Sequence, residues 1–268
     1  MTDQIAALTL ARLHAAALLP PVWVPPDDVR DLRALIAQRA KTVRLSTQAK
    51  NRLHAVLHRH HLSPAEGELF APQRRDWWLA LPVSAMERVR IQNDPSGRAS
   101  GRSFDTLTFA QTQITTLEET LTTLAAHDER VLLLVQLPGI SIVTALTLLA
   151  AIGDVSRFPS ASKLVGYAGL GARVHDSGLT HRSGRITKAG RRDIRAAMVE
   201  AAHTAAHTHP HWQAELARLE PRLGKNKSIV AIARKLLVAV WHVLTAGCAD
   251  RFADPEIVAR LSAARQAS

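Results

Sequence analysis

Residues 131–153 (VLLLVQLPGISIVTALTLLAAIG) form 23 consecutive positions without a charged side chain. About 20 apolar residues suffice to span a bilayer, so this run sets a choice between a membrane span and the interior of a folded domain. Pro138-Gly139 decides it. Proline removes a backbone donor, glycine readily turns the chain, and both fall near the centre of the run, which Gln136, Ser141, Thr144 and Thr147 also dilute. The pattern predicts two buried helices joined by a tight turn at Pro138–Ser141, and no membrane partner.

The remainder of the chain has to supply the shell for that run. At 268 residues it holds one or two domains, and 47% hydrophobic residues exclude wholesale disorder. Only 4% are aromatic, while Ala, Leu and Val abound, a mix that favours helices over sheets. The expected fold class is therefore mostly α. A formal charge of +11 points to a polyanionic partner, nucleic acid first. The single cysteine, Cys248, excludes an internal disulfide framework and a cysteine-rich zinc site. Asp3 and Arg12 spoil the pattern of a secretory leader, so the expected location is cytoplasmic.

Residues 4–18 read as a short helix, and LPPVWVPP (19–26) as non-helical. Asp27 or Asp28 then caps a helix expected to reach about Leu62, with Val29, Leu32, Ile36, Ala40 and Val43 on its apolar stripe. Arg30, Arg33, Arg39, Lys41, Arg44, Lys50, Arg52 and Arg59 lie along it. They are either a solvated face or a set of phosphate contacts. Residues 63–104 predict short helices and a loop at Asn93–Ser103. In 105–128, Ala110, Ile114, Leu117, Leu121 and Leu124 form an a/d seam, suited to an antiparallel hairpin or a dimerising coiled coil. The texture changes near Arg130. We expect a helical linker and coiled-coil region over 1–130, a compact helical domain over 131–250 with Ser228–Leu244 as its core helix, and a tail over 251–268.

Two segments of the second region could carry chemistry. The Pro138–Ser141 turn has the pattern of a helix-hairpin-helix, in which Gly139 allows a tight turn and the next helix offers unpaired N–H groups to a phosphate. Ser141 stands where many such hairpins have a second glycine and would obstruct the closest approach. An ordinary buried hairpin is the alternative. The second segment, Gly169–Arg195, reads as a Gly-rich loop leading into a helix from Asp193. It holds Arg173, Arg182, Arg185, Lys188, Arg191, Arg192 and Arg195 against only Asp176 and Asp193. Arginines there suit nonbridging phosphate oxygens, and Ser177 or Ser183 is either a nucleophile toward phosphorus or a surface hydroxyl. His203 and His207 have the i, i+4 spacing of zinc ligands but lack a third partner, and Pro210 ends their helix. No phosphate-binding Gly-Lys-Ser/Thr loop or dinucleotide fingerprint occurs, and no obvious set of carboxylates for two-metal chemistry.

In order and spacing, LPGISIVTALTLLAAIG, KLVGYAGL, HDSG, GRITKAGRRDIRAAMVEAAH and VAIARKLLVAVWHVL resemble the C-terminal domain of insertion-sequence 110 family transposases, relatives of pilin-gene invertases. LARLHAAALLPPVWVPP and the helix after it resemble that family's linker and coiled-coil region. The resemblance implies DNA recombination directed by a structured guide RNA, in a homodimer or homotetramer. It implies that Ser177 is the nucleophile, and Arg173, Arg182, Arg185 and Lys188 candidates for the scissile phosphate. Ser183 takes a supporting place there, with His175 near enough for proton removal, and Gly139, Ser141, Arg191 and Arg192 belong to the nucleic-acid-binding set. Family members also carry a ribonuclease-H-like domain whose four carboxylates hold Mg2+. MTDQIAALTLA resembles its last acidic motif, with Asp3 at the first aspartate and Ala6 where the second belongs. The resemblance thus implies an enzyme inactive alone for want of its metal site. The alternative is a non-enzymatic nucleic-acid-binding remnant.

Overall fold

The computed structural model describes residues 3–19, 22–92, 103–177, 180–251 and 253. The chain is mostly α. Its helices are α1 (Asp3–Ala15), α2 (Asp27–Arg59), α3 (Arg75–Leu79), α4 (Ala85–Gln92), α5 (Ser103–Ala126), α6 (Glu129–Leu134), α7 (Ile142–Ile152), α8 (Ala161–Tyr167), α9 (Arg192–Thr208), α10 (Pro210–Leu223) and α11 (Lys225–Ala246). A two-stranded antiparallel hairpin, β1 (Ala172–Ser177) and β2 (Thr180–Ile186), stands between α8 and α9. The loop at Asn93–Ser103, but for Ser103, and nearly all of the 251–268 tail lie outside the described residues.

The 33-residue α2 is about 50 Å long at 1.5 Å per residue and joins two cores. Its second half gives Ala49, Leu53, Val56 and Leu57 to a cluster with Trp78, Ile91, Phe104 and Leu107. Its first half lays Leu32, Leu35 and Ile36 against the larger cluster built from α5 to α11. The helix starts after Pro26, which makes no side-chain cap; Asp27 and Asp28 lie in the first turn, where a carboxylate favours the helix dipole. The expected aspartate cap is corrected in that sense. Antiparallel α5 covers α2, with Ala110, Leu117 and Leu121 buried and Arg39 Nε donating to Glu118 Oε1 at 3.0 Å. The apolar seam of α5 is thus filled from within the chain, and Ala125 rather than Leu124 continues it: Leu124 is 45% exposed.

The non-helical 22–26 segment docks on the end of α7. Trp23 lies under the Arg157 guanidinium, 3.7 Å from the ring centre, and fills the space a side chain at Gly153 would need. Arg33 Nε donates to the Ala150 carbonyl at 2.6 Å and Arg157 Nη1 to the Ile152 carbonyl at 2.8 Å, so two cations satisfy the last carbonyls of α7. Among the described residues, α11 is the helix long and apolar enough to cross a bilayer. Its Ile229, Ile232, Leu236, Leu237, Val240 and Val243 are buried, and it packs on α8, α9 and α10 as a core helix.

Candidate nucleic-acid interface

The turn at Pro138–Ser141 forms as its residues dictate. Gly139 has φ +81°, and Ser141 caps α7 by accepting the Thr144 N–H at 3.2 Å. A Cβ on Gly139 would run into the Ala201 carbonyl of α9. The glycine therefore serves close packing of the turn on a neighbouring helix, and one of the donors expected to face phosphate is taken by Ser141 itself.

The segment expected to be a loop is instead the β1–β2 hairpin. Val174 stands opposite Ser183, His175 opposite Arg182, and Ser177 opposite Thr180 where the strands meet their turn. The register shifts between Ala172 and Val174, so that Gly184 and Arg185 of β2 face the single residue Arg173. β-branched Val174, Thr180 and Ile186 favour the strands, and bulges suit glycine; four glycines mislead toward a loop. The side chains of His175, Ser177, Arg182 and Ser183 lie outside the described residues.

Beyond β2 the chain is stapled to the end of α8. Thr187 N donates to the Gly171 carbonyl at 2.8 Å, Lys188 N to Gly169 at 3.1 Å and Arg191 N to Tyr167 at 2.8 Å. A Cβ on Gly190 would strike the Tyr167 carbonyl, so the approach needs glycine. This framework sorts the basic residues. Arg191 Nε holds Asp193 Oδ1 at 3.0 Å, and Arg195 Nη1 holds the Ala168 carbonyl at 2.8 Å. Burial pushes the Asp193 carboxyl up, but the hydrogen bonds and charge of Arg191 outweigh it and leave it below the usual range. The same hydrogen bond raises Arg191 above its ordinary value. Among the described residues Arg173 reaches the Thr187 carbonyl, at 3.3 Å. Arg185, Lys188 and Arg192 are exposed and hold no described residue.

α9 brings the two predicted segments together. Its buried side is Ile194, Met198, Ala201, Ala202, Ala205 and Ala206, and the four small alanines let neighbouring helices among α7, α10 and α11 approach closely. On its other side a cleft of about 690 Å³ is lined by Ile186, Lys188, Arg192, Arg195, Glu200 and His203 among others. A second, of about 420 Å³, lies against the turn and is lined by Gly139, Ser141, Thr144, Thr204, Thr208 and His209 among others. Glu200 and Thr204 border both, so the two clefts adjoin along α9, between the base of the hairpin and the α6–α7 turn, and together form the two halves of an α9 groove. Sequence reasoning missed this wall of α9. A row at spacing four, Arg192, Ala196, Glu200, Thr204 and Thr208, was visible in the sequence, but it winds about 160° round the helix from end to end and only adjacent members are neighbours.

His207 Nδ1 lies 2.6 Å from the His203 carbonyl, and the pair gains no third ligating side chain among the described residues. Asp3 is exposed on the first turn of α1, and no three His, Cys, Asp or Glu side chains among the described residues come together to hold a metal ion. The residues present do not fit a magnesium centre, and no step is assigned to one.

Residues 131–217, which include the turn, the hairpin, the groove and α9, match the model of the Transposase IS116/IS110/IS902 family. The chain is 31% identical over 248 residues to the pilin gene-inverting protein of Moraxella bovis, covering 91% of this chain and 66% of that protein. It is 27% identical over 245 residues to the putative transposase y4qE of Sinorhizobium fredii (91% of this chain, 58% of the relative). With the transposase for insertion sequence element IS1111A of Coxiella burnetii it shares 27% over 251 residues (91% and 66%). The chain thus spans about 58–66% of the length of these relatives. By these matches residues 131–217 carry the domain of the IS116/IS110/IS902 family of transposases.

Proposed function

We propose that this chain binds DNA along the α9 groove and supplies the serine nucleophile of a strand-exchange reaction in DNA transposition. The observation that carries the reading is the juxtaposition of Lys188 and Arg192, exposed and without an ion pair among the described residues, with the cleft at the base of the β hairpin. Phosphate contacts need cations that the fold has not already used. Ser177 lies five residues along β1 from Ala172, roughly 17 Å at strand rise, so DNA held in the groove and followed along the hairpin would pass it. In the proposed step Ser177 Oγ attacks phosphorus and displaces a deoxyribose oxygen. The displaced oxygen takes up a proton, and the serine proton passes to a base for which His175 is the candidate. The phosphodiester is kept as a protein–DNA linkage, ready for a second strand.

The family match over residues 131–217 supports recombination as the setting. A guide RNA and a homo-oligomer in the cytoplasm belong to the same proposal. Oligomers would use surfaces other than the α5 seam, which α2 fills. We further propose that these residues alone bind nucleic acid without completing exchange, the magnesium-binding carboxylates coming from elsewhere. The test uses a nicked DNA substrate that traps covalent adducts, together with binding across a salt series. Ser177→Ala should keep steep, salt-dependent binding and lose any adduct formed when metal-bearing partner and cognate RNA are added. An adduct that persists in Ser177→Ala, or robust magnesium-dependent product from the purified chain alone, would overturn the respective parts.

A further inference from the structure

The two halves of the α9 groove offer opposite hydrogen-bonding chemistry. The hairpin half presents Lys188 and Arg192. The half against the α6–α7 turn presents hydroxyls most of whose protons are engaged within the chain. Thr208 Oγ1 donates to the Thr204 carbonyl at 2.9 Å and Thr204 Oγ1 to the Glu200 carbonyl at 3.4 Å. The Ser141 and Thr144 hydroxyls bond to each other at 3.0 Å. What these groups have left for a ligand is chiefly lone pairs. His209, on the same wall, has a buried Nδ1 without a hydrogen-bond partner. Glu200 borders both halves and is exposed. Its carboxylate makes no ion pair with any described residue, although three cationic side chains line the adjoining cleft.

A backbone phosphate would be repelled at this end. A carboxylate with acceptor hydroxyls around it instead suits N–H donors. Cytosine N4, adenine N6 and guanine N2 are such donors, whereas thymine has no amino group and its N3–H lies between the acceptors O2 and O4. Arg192 and Glu200 are eight residues apart on one helix, about 12 Å, a span on the scale of one nucleotide from phosphate to base edge. The concavity favours a base that projects from its strand. We propose that Glu200 reads the amino group of an unpaired cytosine, adenine or guanine while Lys188 and Arg192 hold the neighbouring backbone. This rests on the nucleic-acid reading above and adds to it a specificity-determining residue.

The test measures binding of the full chain to labelled oligothymidylate and to the same oligomer with central cytidines or adenosines, across a salt series. Wild type should favour the amino-bearing oligomers about fivefold or more. Glu200→Gln, whose amide can also donate to thymine O4, should lose that preference with the salt slope unchanged. Lys188→Ala should weaken binding to all oligomers and reduce the slope by about 0.7, with the preference kept. A wild type without preference overturns the proposal. So does a Glu200→Gln protein that binds every oligomer more tightly by one common factor, the signature of a carboxylate that only repels phosphate. If no oligomer binds with salt-dependent affinity, the nucleic-acid reading itself fails.

Discussion

The α2–α5 region and the 169–208 region are both rich in basic residues, and the fold uses them in opposite ways. Along α2 and its neighbours most cations are engaged by the protein, although Lys41, Arg44 and Arg52 hold no described residue. Arg33 holds the carbonyls of Ala150 and Ala151, Arg39 holds Glu118, Arg59 holds Glu87, Arg75 holds Asp105, and Lys50 sits over the Phe70 ring. Around the α9 groove, among the described residues, Arg191 and Arg195 are fixed by strong partners, whereas Arg185, Lys188 and Arg192 are exposed. A basic run in sequence is therefore not an interface until the internal partners of its residues have been subtracted. The same lesson holds within α9, where one face is small and buried for packing and the other is polar and lines the groove.

That contrast can be broken by substitution, and the largest effect is expected where the packing face meets the turn. Gly139→Ala should destabilise by about 3 kcal/mol or more, because it adds a left-handed alanine to a clash with α9 backbone; thermal melting reads this. Arg33→Ala should cost about 2 kcal/mol, since it strips a charged donor from partly buried carbonyls, and it should leave nucleic-acid affinity per folded molecule unchanged. A melting curve paired with a binding titration separates the two quantities. Arg39→Ala should be smaller still, at most about 1 kcal/mol, as expected for a partly exposed pair.

One carboxylate ties the α10–α11 pair to pH. The Arg218 hydrogen bonds, and Lys235 after them, outweigh burial and hold Glu215 down at about 2 against an ordinary 4.5. A depressed carboxylate contributes stability above its unfolded value and loses it as pH falls through the folded one. The melting difference between wild type and Glu215→Gln should thus be level near neutrality and shrink between about pH 5 and pH 2. A difference that stays constant over that window would show that the Arg218 and Lys235 contacts do not act through the Glu215 charge.

Much of the helical frame was legible because it rests on local chemistry. The Pro138-Gly139 break, the proline-rich 19–26 segment, the apolar α11 and the end of α9 before Pro210 all follow from backbone donors, turn residues and side-chain period. Two features were harder. The hairpin was obscured because glycine marks bulges and loops alike, although the Gly178-Leu179 pair between its strands (outside the described residues) is a two-residue hairpin signal. The groove was not legible because it depends on which side of α9 the turn packs, a tertiary choice made by Gly139 against Ala201. The sequence alone also could not say that Arg191 faces Asp193 while Arg192 does not.

The central claim is that the free cations of the α9 groove, and not the engaged cations of α2, contact phosphate. The most direct measurement is the salt dependence of duplex DNA binding for wild type, for Lys188→Ala/Arg192→Ala and for Arg39→Ala/Arg59→Ala. The account predicts that the groove pair lowers the log–log slope by about 1.8, two contacts at 0.9 each, while the α2 pair leaves it unchanged. An unchanged slope for the groove pair, or an equal fall for both, would contradict it.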